Sequence, residues 1–142
     1  MKLNPYLNFN GNAKQAFEFY EQVFGVKIDS TMPFSEMPED ENFSISDEEK
    51  DFLIHVSIPL GDGQYLMGSD VPKSMGSPLT MGNNHYISIH PDSKEEADRL
   101  FSALSVGGEV EMPMADQFWG DYFGSLIDKF GVCWMINYHE DK

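Results

Sequence analysis

Thiol chemistry is nearly absent from this 142-residue chain, which has one cysteine, Cys133. A single thiol excludes an internal disulfide and suits a reducing cytoplasm. Cys133 sits in an apolar run with no basic neighbour, so it reads as buried filler or, alternatively, as a reactive thiol. Bases are also scarce, with 9 Lys and Arg against 24 Asp and Glu and a formal net charge of -15. So acidic a chain repels phosphate backbones and anionic lipid headgroups, which argues against nucleic-acid and membrane partners. No apolar run approaches the ~18 residues of a membrane span. The opening Met-Lys-Leu-Asn-Pro-Tyr lacks the apolar core of a secretory signal, so a cytoplasmic location is expected. No glycine-rich loop with a downstream acid marks a nucleotide or S-adenosylmethionine site. No GxSxG and no Cys–His pairing marks acyl transfer.

What the chain has in quantity is core material. Aromatics make up 13% of it, including 11 Phe, and its length fits one domain. The spacing predicts a strand at 5–9 and then a helix over 13–24, capped by Asn12 and closed by Gly25. Ala16, Phe19, Tyr20 and Val23 form the apolar stripe of that helix. A strand follows at 26–33. The acidic stretch 34–50 reads as a mobile loop with a turn of helix. Strands at 51–60 and 64–68 flank the tight turn Gly61-Asp62-Gly63, and 69–81 reads as a linker or flap. The pattern then restarts with a strand at 84–90. A helix follows, opened by Ser93 and Glu96 in capping-box spacing, with Ala97, Leu100, Phe101 and Leu104 on its stripe and Gly107-Gly108 at its end. A strand at 109–112 and a loop at 113–117 lead into 118–138, read as a β-hairpin turning at Asp128-Lys129-Phe130-Gly131.

The restart is a repeat. A shift of about 80 residues lays NPYLNFN (4–10) on NHYISIH (84–90). A shift of 68, from Gly63 to Gly131, lays Ile58 on Leu126 and Met67 on Met135. Each half is thus β-α-β-β-β, and the chain divides into module one (about 3–70), a linker (about 71–82) and module two (about 83–139). The expected fold is α+β. Two βαβββ modules related by a pseudo-twofold form a partly closed mixed-sheet cleft, helices outside, and the cleft is the natural place for a ligand.

The residues PYLNFNGNAKQAFEFY (5–20), PFSEMP (33–38), His55 in LIHVSI, YLMGSD (65–70) and FWGDYFGSLIDKFGVCWMIN (118–137) resemble the PhnB-like branch of the vicinal oxygen chelate superfamily. That superfamily holds the glyoxalase, bleomycin-resistance and extradiol dioxygenase proteins. The resemblance implies paired modules, a cytoplasmic location and often a homodimer. Some relatives are described as ubiquinone-pathway methyltransferases; with no S-adenosylmethionine motif, methyl transfer is not expected here.

The resemblance also says where a metal would sit. In metal-dependent members, His and Glu ligands come from the first and fourth strands of each module, and the ion polarises two adjacent substrate oxygens. Mapped by the repeat, those positions fall at Pro5, Met67, His85 and Met135. Only His85 suits a hard or borderline cation, and thioethers suit Cu(I). No metal or other cofactor is therefore expected, with His55, His85 and Glu36 the weak candidates for an atypical divalent site. The cleft candidates are Tyr6, His55, Met67, His85, Trp119, Trp134 and Met135, with Phe118 beside them. Each has a plainer reading as core packing or, for His55, as a half-buried strand histidine satisfied by a hydrogen bond. Asp116 and Asp121, flanking Trp119, read as solvated loop acids. The expected function is small-molecule binding in an apolar cleft by a homodimer. The alternative is a metal-dependent lyase, isomerase or dioxygenase using an atypical His site.

Overall fold

The computed structural model describes residues 1–38, 45–75 and 78–140. It divides the chain into two units, Met1–Thr80 and Met81–Lys142. Unit one contains β1 (Tyr6–Phe9), α1 (Ala13–Phe24), β2 (Ser30–Pro33), β3 (Leu53–Gly61) and β4 (Gln64–Asp70). Its sheet runs β1-β4-β3-β2, with β1 parallel to β4 and the other pairs antiparallel. Unit two contains β5 (Ile87–Ile89), α2 (Lys94–Ser105), β6 (Glu109–Asp116), β7 (Asp121–Ile127) and β8 (Cys133–His139), in the same order β5-β8-β7-β6. Each unit is therefore a βαβββ module with a mixed four-stranded sheet, the α+β fold expected. Among the described residues no helix is long and apolar enough to cross a membrane.

Each helix covers one face of its sheet. Ala13, Ala16, Phe17, Tyr20 and Val23 of α1 are buried. Phe17 takes the core place expected for Phe19, which is only half-buried. The Phe17 ring lies so close to Gly68 of β4 that an added Cβ there would stand 2.8 Å from it. On that face Gly68 aligns with Val56, and Leu66 with Ile58, all buried. In unit two, Phe101 of α2 stands equally close to Gly124 of β7. Gly124 aligns with Ile136, and Leu126 with Trp134. Burying side chains of this size contributes about 1.5–3 kcal/mol each.

The helix starts differ from one another. Ser93 caps α2 as the capping-box spacing predicts, accepting the Glu96 N–H at 3.1 Å. Asn12 makes no side-chain cap on α1. The carboxylate of Asp70, at the end of β4, takes that role instead. Its Oδ1 accepts the N–H of Gly11 and of Ala13, and its Oδ2 that of Leu53. A distant carboxylate outcompetes the local amide because it carries charge and reaches three donors at once.

Several boundaries move. β2 and β5 are shorter than expected. β6 runs through 113–116, read from sequence as loop. Pro113 is tolerated there because β6 is an edge strand with register shifts between Val110 and Ala115. The segment 118–120 is then the turn between β6 and β7 rather than a strand. Gln117 N–H donates to Asp121 O, Gly120 N–H donates to Gln117 O, and Gly120 adopts φ of 100°. The acidic stretch has short 3-10 turns at Phe34–Glu36 and Asp47–Glu49. Its residues 39–44, and 76–77 of the expected linker, lie outside the described residues.

Candidate ligand-binding faces

Strand alternation puts every second residue on the sheet face away from the helix. In unit one that face presents Tyr6 and Asn8 of β1, Met67 and Ser69 of β4, His55 and Ser57 of β3 and Met32 of β2. The pairings Tyr6–Met67, Ser57–Met67 and His55–Met32 fix the alignment. The Tyr6 hydroxyl lies 3.4 Å from His55 Nδ1, with the rings 5.9 Å apart. Ser57 Oγ donates to Asp29 at 2.6 Å, and Ser69 Oγ to Asn8 at 3.3 Å. Met67 is half-buried between its neighbours Tyr6 and Ser57.

Unit two offers the matching row of Ser88, Met135 and Ser125. Phe123 and Asn137 pair next along the hairpin, then Asp121 and His139. Asp121 gathers two donors, His139 Nδ1 on Oδ1 and Asn137 Nδ2 on Oδ2 at 3.0 Å. These bonds, His139 first, hold its carboxyl below the usual carboxylate range. Trp119 stands against Phe123 and against Phe118, which is 97% exposed. At the other end the Tyr86 hydroxyl donates to both oxygens of Glu111, at 2.7 and 2.9 Å. That bond pushes the phenol up to about 12. Cys133 is buried, and burial raises its thiol pKa, assisted by Glu111 and Asp128.

The structure thus brings Tyr6, His55 and Met67 together on one face, and places Met135 on the corresponding face of unit two with Trp119 at its end. It does not do so for Trp134. That residue is 1% exposed on the helix-covered face, its indole N–H donating to Asp128 Oδ2 at 2.9 Å. Trp134 is core, because β8 alternation turns it opposite to Met135. His85 also falls away. It is exposed, lies outside β5 and pairs with Asn84 at 3.1 Å. The residue beside Met135 is Ser88, and the residue beside Met67 is Tyr6 rather than Pro5. The 80-residue shift therefore misplaces the first strands against the fourth. Glu36 is exposed in the turn after β2. Among the described residues no three His, Cys, Asp or Glu side chains gather as a metal site. Sequence reasoning missed the Asp121–Asn137–His139 cluster. Its signal was present, since the Asp128–Gly131 turn dictates which residues pair across the hairpin.

A model of the family described as 3-demethylubiquinone-9 3-methyltransferase matches residues 1–137. Protein YjdN of Escherichia coli K12 is 32% identical over 139 residues, covering 96% of this chain and 95% of YjdN. The crystal structure of PA1353 from Pseudomonas aeruginosa is 38% identical with a TM-score of 0.86, covering 99% of both chains. A putative 3-demethylubiquinone-9 3-methyltransferase, PhnB protein, from Bacillus cereus is 27% identical with a TM-score of 0.75, covering 97% of this chain and 99% of that one. The fosfomycin resistance protein FosX of Listeria monocytogenes, solved with Mn(II) and a dihydroxypropylphosphonic acid, shares the fold at 14% identity. Its TM-score is 0.63, over 99% of this chain and 92% of that one. The chain belongs to the PhnB-like family, and it shares its fold with the fosfomycin resistance protein.

Proposed function

We propose that this protein binds a small organic molecule on its helix-free sheet faces, without the divalent-metal centre of the superfamily's enzymes. One observation carries the reading. On the helix-free face, the first-strand residues beside the fourth-strand methionines are Tyr6, next to Met67, and Ser88, next to Met135. Two thioethers, a phenol and a hydroxyl are poor ligands for Zn²⁺, Mn²⁺ or Fe²⁺, but they make a soft, polarisable surface for an apolar or aromatic compound.

The family's descriptive name refers to methyl transfer. Against that activity here stands the lack of a glycine-rich loop with a downstream acid, and the N–H groups at the turn between β1 and α1 are already taken. In this chain the Asp70 carboxylate already accepts the N–H groups of Gly11 and Ala13. The reading extends to a cytoplasmic homodimer. The buried thiol of Cys133 fits a reducing compartment.

Elemental analysis of protein purified without a His tag, together with a thermal-shift screen of small organic compounds, tests the proposal. Expected are substoichiometric metal and at least one compound that raises Tm, with the shift lost in Met67→Glu or Met135→Glu. Stoichiometric Mn, Fe, Ni or Zn that disappears in His55→Ala or His85→Ala would overturn it and favour a metal-dependent lyase, isomerase or dioxygenase.

A further inference from the structure

We infer that the end of the helix-free face of unit two, at the β6–β7 turn, binds a small organic cation: an ammonium group borne on an aromatic or aliphatic body. This rests on the reading of that face as a ligand surface and names the charge class of the ligand.

Three aromatic rings stand there in series. Phe118 and Trp119 have centroids 5.1 Å apart at 87°, and Trp119 and Phe123 6.0 Å apart at 65°. Edge-to-face contacts do not bury both faces of the outer rings, so the row is not closed by stacking. Phe118 is 97% exposed and Trp119 48%. A solvent-facing aromatic pair at a rigid turn is typical of a recognition surface. Aromatic faces attract cations through their quadrupoles, indole most strongly.

Beside the rings lies a fixed negative charge. Asp121 accepts a hydrogen bond from Asn137 and pairs with His139, which hold the carboxylate at the turn two residues along the chain from Trp119. The chain already uses this chemistry one residue away. On the opposite face of β7, Lys94 Nζ stands 5.1 Å from the Tyr122 ring centroid and 3.3 Å from Asp116. On the helix-free face the turn likewise holds aromatic rings and a carboxylate, with a histidine rather than a lysine beside the carboxylate. The net charge of -15 attracts cationic solutes and repels anionic ones.

The test titrates benzyltrimethylammonium into the full chain while tryptophan emission is followed, with benzyl alcohol and benzoate as neutral and anionic controls at equal ionic strength. Trp134 is buried, so Trp119 reports. A saturable change is expected with the ammonium alone. It should be retained in Trp134→Phe, weakened about threefold to tenfold in Phe118→Ala and roughly tenfold in Asp121→Asn. Phe118→Ala alters a side chain almost wholly in solvent, so a folding defect does not confuse its result. The inference is overturned by no saturable response to the ammonium, by an equal response to benzyl alcohol, or by binding that both substitutions leave unchanged. If such binding were lost in Met135→Glu, the ligand-binding reading would stand and only the placement at this turn would fall. If no compound of any charge binds this face or that of unit one, both fall.

Discussion

The carboxylate of Asp70 accepts the backbone N–H of Ala13 at 2.9 Å, joining the end of β4 to the start of α1 across 57 residues of sequence. The same side chain holds Gly11 and Leu53. It is 4% exposed, so losing the carboxylate would leave buried N–H groups without an acceptor. Asp70→Ala is expected to cost about 3 kcal/mol in urea denaturation. Asn12→Ala, which removes no cap, should change stability by less than about 0.5 kcal/mol.

The two tryptophans should behave oppositely. Trp134→Phe removes the indole N–H that donates to the buried Asp128 and leaves a void, a loss of about 2–3 kcal/mol. Asp128 retains the N–H groups of Phe130 and Val132, so the turn itself should survive. Trp119→Phe should be close to neutral. Acrylamide quenching separates the pair: Trp119, alone in the Trp134→Phe variant, should be quenched readily, and Trp134, alone in Trp119→Phe, should be protected.

Gly68 is a packing glycine. A methyl group there would stand 2.8 Å from both the Phe17 ring and the Leu7 carbonyl. The ring can yield, but the carbonyl belongs to β1. Gly68→Ala should destabilise by about 1–3 kcal/mol in thermal melts. Gly25→Ala meets nothing within 4 Å, and its cost comes only from φ of 67°.

Asp121 gives acid sensitivity with a definite sign. Its carboxyl is held below the usual value, first by His139 and then by Asn137. A depressed folded-state pKa means that the contribution is complete above the unfolded carboxylate value, near 4. It is lost as pH falls through the lower folded value. Asp121→Asn should therefore show a shallower fall in stability as pH drops below the unfolded carboxylate value than the parent chain. Parallel pH curves for the two would refute this assignment.

Cys133 should be a poor nucleophile. Burial raises its thiol pKa, so little thiolate forms near pH 8. Labelling by iodoacetamide at that pH should run at least about tenfold slower in the folded protein than in urea. Equal rates would instead mark the reactive thiol that the sequence left open.

Most of the secondary structure was legible because its causes are local. Ser93 with Glu96, Gly25 after the α1 stripe and the Asp128–Gly131 turn each act within a few residues, and each stands where the sequence places it. The misreadings share one origin, that of interactions between residues far apart. Asn12 looked like a cap until Asp70 reached the site. The 113–117 segment read as loop, whereas β6 continues through Pro113 because it is an edge strand.

For the candidate site, the sequence determined the residue chemistry: Met67 and Met135 at the fourth strands, a deficit of bases, and aromatics around 118–123. It determined the family as well, since those motifs span nearly the whole chain. Only the tertiary structure decided which of these residues share a face. A strand alternates every residue, so adjacent Trp134 and Met135 point to opposite sides, one into the core and one away from it. The register of a parallel pair is set by packing across the sheet, not by any pattern within either strand. That is why Ser88, rather than His85, stands beside Met135.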